Sequence, residues 1–204
     1  MPSRLGLMRR RLEHAIQDLK IEWAYARNGV RSRPSSDREQ SLVLTTSDLI
    51  EAGYPLSLDR RFERFVTREY PDGAIEVKYS YEPEEAEPGF IRFMLVSRIE
   101  RSASAQAAAE LLRDAVGWAE AGMETVGGRL VFKGNLQTWC DNAHLSFTLA
   151  KPNDTVVGSR LSFQRERMVF FVTLRGIVLD EEQEVEKLVY PFLERGREWC
   201  AGEA

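Results

Sequence analysis

The residues of this chain that suit nucleophilic chemistry are Cys140 and His144, which lie four positions apart across an Asp-Asn turn. A thiol beside an imidazole is the arrangement that activates a cysteine for attack on a substrate. Strand alternation opposes the pair: Cys140 shares its face with the core residue Leu136, whereas His144 points away from Leu145. We therefore expect a buried thiol and a partly exposed histidine, and no catalytic pair.

A second group of residues suits ligand binding. If the predicted sheet has a less covered face, alternation directs Trp139, His144 and Arg160 towards it, together with the hydroxyls of Ser146 and Thr148. An aromatic ring with hydrogen-bonding neighbours holds a peptide or a small ligand. The alternative is that these residues form the edge of a core that a helix covers.

The other residue types and sequence motifs of the chain argue against an enzyme. Zinc and non-haem iron sites use His and Cys heavily, and this chain has two of each, with no C-x-x-C spacing. It also has no dinucleotide-binding glycine fingerprint, no P-loop, no H-E-x-x-H and no G-x-S-x-G. We therefore predict no catalytic residues, no metal and no cofactor.

The elements that position these residues follow from apolar periodicity. Alternating apolar residues predict strands, and a period near four predicts helices. Strands are expected at 65–70, 74–82, 90–101, 129–139, 143–150, 156–165 and 168–175. A helix after Ser102 or Ser104 separates the two strand blocks, and another closes the chain at about 180–199. The order β-β-β-α-β-β-β-β-α predicts an α+β fold, an antiparallel sheet flanked by helices.

An amphipathic helix is predicted ahead of this domain, over residues 1–27. Its apolar residues repeat at spacings of three or four and so share one face: Met8, Leu12, Ile16, Leu19 and Trp23. Such a helix docks in a partner's groove, on a second copy or on an anionic membrane, or it packs back on its own domain. Residues 28–47, rich in Ser and Arg, are expected to form a linker, and residues 48–204 the sheet domain.

The net charge of the chain also differs on the two sides of this linker. The chain carries 28 Lys and Arg against 32 Asp and Glu, a net charge of -4. Residues 1–40 hold nine basic and five acidic side chains, so their +4 contrasts with -8 in the remainder. The acidic balance argues against nucleic-acid binding, and the opposite signs favour a homodimer. With no secretory signal and no apolar run of 18 residues, the sequence predicts a cytoplasmic protein for which membrane contact is not expected.

The strand-rich part resembles the PsbP-like fold, which also occurs in Mog-type Ran-binding proteins and in bacterial DcrB-like proteins, including the Eag chaperones of secretion effectors. The resemblance covers roughly residues 48–200. It rests on element order and on four segments: IEVKYSYEP, SASAQAAAELL, MVFFVTLRG and DEEQEVEKLVYPFL. It implies binding and assembly, because members of that fold mostly act as accessory subunits, adaptors or chaperones and share no catalytic residues.

The leading hypothesis is a non-enzymatic module that binds a protein partner as an adaptor, accessory subunit or chaperone. One alternative is a small-molecule carrier or enzyme that uses the face of Trp139 and His144. Another is an exported accessory protein whose leader has been removed.

Overall fold

The computed structural model describes residues 19–56, 59–83, 93–121, 125–128, 140–150 and 155–202. Helices occupy residues 19–27 (α1), Asp37–Gln40 (α2), Thr46–Glu51 (α3), Ala105–Ala121 (α4) and Glu182–Ala201 (α5). Strands occupy Arg31–Arg33 (β1), Glu63–Glu69 (β2), Ile75–Tyr81 (β3), Met94–Arg101 (β4), Thr125–Gly128 (β5), Asn142–Ala150 (β6), Thr155–Arg165 (β7) and Met168–Arg175 (β8).

Within these described residues the strands form one antiparallel sheet in the order β1-β2-β3-β4-β8-β7-β6-β5. Two meanders, β1 to β4 and β5 to β8, meet where β4 pairs with β8, and α4 connects them. The predicted α+β architecture is therefore confirmed. β8 lies inside the sheet, as its apolar character on both faces predicts. The predicted strand at 129–139 lies outside the described residues. Gly127 and Gly128, a pair typical of a turn, belong to β5.

The two faces of the sheet are covered by different helices. Helix α5 packs on one face, where Phe170 stacks on Phe192 with ring centroids 6.0 Å apart. Helix α4 crosses the other face, where Ala108 and Leu112 pack on Val169 and Phe171. Ser104 begins α4 by accepting a hydrogen bond from the Ala107 amide at 3.0 Å, which is one of the two caps predicted.

The segment 28–47, expected to be a linker, is part of the sheet domain. Its strand β1 pairs with β2, and Arg33 forms an ion pair with the buried Glu39 at 2.7 Å. Ser36 and Glu39 form a capping box at the start of α2. The segment then supplies an apolar run to the core, Leu42–Leu44. Its polar side chains are mostly exposed, as the composition suggests, but several of them bond to one another and to β2, so the segment is ordered on the sheet and is not a linker.

Candidate functional site

Helix α1 is held on the sheet through polar and aromatic contacts. Glu22 accepts hydrogen bonds from Arg68 and from Ser32, each at 2.7 Å. The Arg68 guanidinium holds the pKa of Glu22 below its ordinary value. One turn along, Tyr25 meets the edge of Tyr70 at 6.5 Å, and the Arg68 guanidinium lies 4.4 Å from the centre of the Tyr25 ring. The contacts on this side of α1 fix its orientation.

The predicted apolar face of α1 is directed away from the sheet where the structure describes it. Leu19 is 69% exposed and Trp23 is 65% exposed, one helical turn apart. The guanidinium of Arg27 lies 5.4 Å from the Trp23 ring centre. Of the predicted stripe, Met8, Leu12 and Ile16 lie outside the described residues. The two described members, Leu19 and Trp23, form an apolar surface that we call the α1 surface.

Gly29 fixes where α1 ends. Its φ of +77° is a left-handed conformation that glycine adopts without strain. The Val30 amide bonds to the Tyr25 carbonyl and the Gly29 amide to the Ala26 carbonyl, each at 3.0 Å, which is the Schellman pattern. The chain then turns directly into β1. This short connection, with the Glu22 contacts, holds the α1 surface outward.

A charged network lies beside α1 on the sheet face that α4 shares. Glu76 is 1% exposed. Its carboxylate accepts hydrogen bonds from Arg68 at 2.6 Å and from Arg98 at 3.2 Å. The Arg98 guanidinium also lies 4.2 Å from the centre of the Phe171 ring. Arg68 therefore bridges Glu76 in the sheet and Glu22 in α1, and it couples the helix to the network.

Glu100 faces Glu76 across β3 and β4. Burial raises the pKa of Glu100 to about 7; Arg98 partly opposes the increase, and the neighbouring Glu76 adds to it. Glu100 can therefore hold or release a proton near neutral pH. The Ser102 hydroxyl donates a long hydrogen bond of 3.5 Å to the Glu100 carboxyl and slightly opposes the increase in its pKa.

The raised pKa of Glu100 predicts a pH-dependent stability. The folded state binds this proton more tightly than the unfolded chain, whose ordinary value is 4.5. Stability is therefore lost as the pH rises from about 4.5 to about 7.

Glu100→Gln should stabilise the protein by about 1–3 kcal/mol at pH 8, allowing for partial exposure. It should have little effect at pH 4. Urea unfolding at both pH values measures this, with the exposed Asp114→Asn as control; an equal effect at both pH values would contradict it.

The other sequence-predicted site residues divide between the faces. His144 and Arg160 lie on the face that α4 crosses, and both are half-buried. His144 makes contacts of its own. Cys140 is buried in the cluster on the opposite face, where burial raises the pKa of its thiol to about 11. Cys140 and Cys200 are free thiols. Trp139 lies outside the described residues.

Sequence reasoning missed the charged network. Alternation with Val77, Tyr79 and Tyr81 places Glu76 and Ser80 on the polar side of β3, which suggests solvent exposure, but both are buried. The available signal was charge complementarity between neighbouring strands, with arginines at 68 and 98 flanking a glutamate at 76. That signal requires the strand register, which the sequence pattern does not supply.

In the described part of the chain, no three His, Cys, Asp or Glu side chains lie close enough together to hold a metal ion. Nor does any helix there have the length and apolar character needed to cross a membrane. Comparison with protein-family models, with curated proteins and with solved structures finds no match to this chain.

Proposed function

We propose that this chain is a non-enzymatic protein-binding module, an adaptor, accessory subunit or chaperone, whose docking element is the α1 surface. The observation that carries the proposal is the orientation of α1. Glu22, on the polar side of the helix, bonds to Arg68 of the sheet, whereas Leu19 and Trp23 are exposed to solvent. A helix retained only for the stability of its own domain would be expected to bury its leucine and tryptophan.

The energetics favour a docking role. Burying a large apolar side chain contributes about 1.5–3 kcal/mol, and tryptophan is among the residues that dominate protein interfaces. The Arg27 guanidinium lies beside the Trp23 ring, so the aromatic anchor carries a cation that a partner's carboxylate can contact. The resemblance to PsbP-like proteins remains a prediction; it implies binding and assembly and so agrees with this role. A cytoplasmic location also remains a prediction.

The partner's chemistry follows from the flanks of the α1 surface. Lys20 and Arg27 are both exposed beside it, and Glu22 is neutralised by Arg68. We therefore expect an apolar groove bordered by carboxylates. A second copy offers a partly apolar groove of about 290 Å³ between α3 and the start of α5 that includes the carboxylates Glu181 and Glu184; its other lining residues are Ala52, Tyr54, Gln183, Lys187 and Leu188. A homodimer in which the α1 surface of one copy binds this groove of the other is thus one form of the proposal.

The test uses the full chain and the double variant Leu19→Ala, Trp23→Ala. Sedimentation velocity first reports whether the chain associates with itself. If it remains a monomer, a partner captured from the native source is identified, purified and recombined with the chain. We expect the double variant to weaken the resulting complex by more than tenfold, since two interface anchors are truncated.

The control is Val156→Ala, which removes an exposed apolar side chain on β7 that does not line the groove between α3 and α5. It should leave the complex intact. Equal affinity of the wild-type chain and the Leu19→Ala, Trp23→Ala variant, with both folded, would refute the docking role of the α1 surface.

A further inference from the structure

The sheet face crossed by α4 carries an arginine whose charge is not balanced. Arg160 on β7 lies opposite Ser146 on β6 and opposite Thr173 on β8. It is half-buried, and no described residue gives its guanidinium a hydrogen bond or a carboxylate. A partly buried cation without a counter-ion is costly, so such groups are normally paired.

A second cation increases that cost. Burial lowers the pKa of Arg160, and the nearby Arg98 lowers it further, so the two guanidinia repel each other. Arg98 contacts Glu76 at 3.2 Å and also lies near Glu100. Neither carboxylate acts on Arg160, so among the described residues its guanidinium has a cation beside it and no negative group.

The hydroxyl of Ser146 is an independent sign of a missing partner. Ser146 is 0% exposed, and its Oγ has no hydrogen-bond partner. A buried hydroxyl left without a partner costs about 1–3 kcal/mol. Directly opposed residues on paired antiparallel strands have Cβ atoms about 4.5–5.5 Å apart. The Ser146 hydroxyl and the base of the Arg160 side chain are therefore neighbours on the same face of the sheet.

We propose that Arg160, Arg98 and Ser146 form a binding site for an oxyanion, the carboxylate or phosphate group of a small ligand. The planar guanidinium of Arg160 donates two parallel hydrogen bonds to such a group. Arg98 adds charge from the neighbouring side, and Ser146 donates the hydrogen bond that its buried hydroxyl otherwise lacks. The site gives a ligand class to the small-molecule alternative raised by the sequence, and it is separate from the α1 surface.

The experiment titrates the full chain with inorganic phosphate and, separately, with acetate, at constant ionic strength maintained with chloride. Isothermal titration calorimetry measures the dissociation constant. Saturable binding is expected for at least one of the two ions, and the stronger one identifies the oxyanion. Arg160→Met should weaken that binding at least about tenfold, and Ser146→Ala roughly threefold, which correspond to the loss of charge-assisted and neutral hydrogen bonds. Arg160→Lys should retain part of it.

The stability of the variants separates a binding role from a structural one. Without anion, Arg160→Met should be at least as stable as the wild-type chain, because it removes an unbalanced charge; marked destabilisation would overturn the proposal. The control Arg113→Met changes an exposed arginine on α4 and should bind as the wild type does. The Leu19→Ala, Trp23→Ala variant should also bind normally, which keeps this result distinct from that for the docking role. No saturable binding, or equal binding by Arg160→Met, would refute the site.

Discussion

Replacing Glu76 with leucine is expected to lower the free energy of unfolding by about 3–5 kcal/mol, the cost of leaving a buried charge without its partner. Glu76 is almost fully buried and accepts hydrogen bonds from Arg68 and Arg98. Arg68 is itself buried, and after the substitution only Glu22 would balance it. Leucine has a similar size, so the loss reports the charge and not a cavity. Urea unfolding followed by circular dichroism measures the change.

A double-mutant cycle identifies the cause. Arg68→Met alone should also be strongly destabilising, since it leaves the Glu76 carboxylate with the longer Arg98 contact alone. The combination Glu76→Leu, Arg68→Met should recover most of the loss, because an ion pair replaced by apolar groups of similar volume is often nearly neutral. Glu51→Leu, at an exposed carboxylate, should stay within about 0.5 kcal/mol of the wild type. Additive losses in the double variant would show that Glu76 and Arg68 stabilise the fold separately.

Replacing Gly158 with alanine is expected to cost about 3 kcal/mol or more, at or beyond the upper end of the usual overpacking range. A Cβ at this position would lie 2.1 Å from the Leu174 carbonyl oxygen and 2.9 Å from the Arg175 Cα. Both atoms belong to the backbone of β8, so no side-chain rotation relieves the contact. Because β7 lies between β6 and β8, the substitution must distort pairing inside the sheet.

Gly117 provides the same chemical change in open space. It lies on the exposed side of α4, and a Cβ there meets no heavy atom within 4 Å. Gly117→Ala should therefore stabilise the protein by about 0.5–1 kcal/mol, through helix propensity and a less flexible unfolded chain. Thermal unfolding of both variants is the measurement. If Gly158→Ala unfolded at the wild-type temperature, β7 and β8 would not approach each other as closely as the 2.1 Å distance to the Leu174 carbonyl oxygen requires.

The parts of the fold that local chemistry determines could be predicted from the sequence. The Pro-Asp-Gly turn between β2 and β3 is one example. Gly73 has a φ of +85°, and the Ala74 amide bonds to the Asp72 carboxylate at 3.0 Å, as such a turn requires. The inner position of β8 is another, because a strand that is apolar on both sides must be covered on both sides.

The charged network could not be predicted, because its members come from separate elements. Glu22 and Arg68 are 46 residues apart in the chain and meet only when α1 lies on β2. Glu76 looked solvent-facing because alternation identifies the side of a strand and not what covers that side. For the same reason the segment 28–47 was expected to be a linker: its polar residues satisfy one another, which composition does not reveal.

The candidate sites were predictable to different degrees. The apolar spacing of Leu19 and Trp23 predicts a shared helix face, but it does not decide whether that face is buried; the Glu22 contacts with Arg68 and Ser32 decide it. Arg160 was placed on a shared face with His144 by strand alternation. Its unbalanced charge and the unpartnered Ser146 hydroxyl depend on the register of β6, β7 and β8, which only the structure gives.

Site-specific photo-crosslinking in the native cell tests the docking role of the α1 surface most directly. A photoreactive phenylalanine analogue is placed at Leu19 or Trp23, and for comparison at the exposed Val156 on β7, which does not line the groove between α3 and α5. We predict one discrete crosslinked product, of the same mass from both α1 positions and absent from position 156. Loss of Glu22, through Glu22→Gln, should reduce its yield, since the helix is then less firmly oriented. No discrete product from positions 19 and 23, or the same product from position 156, would contradict a docking role for α1.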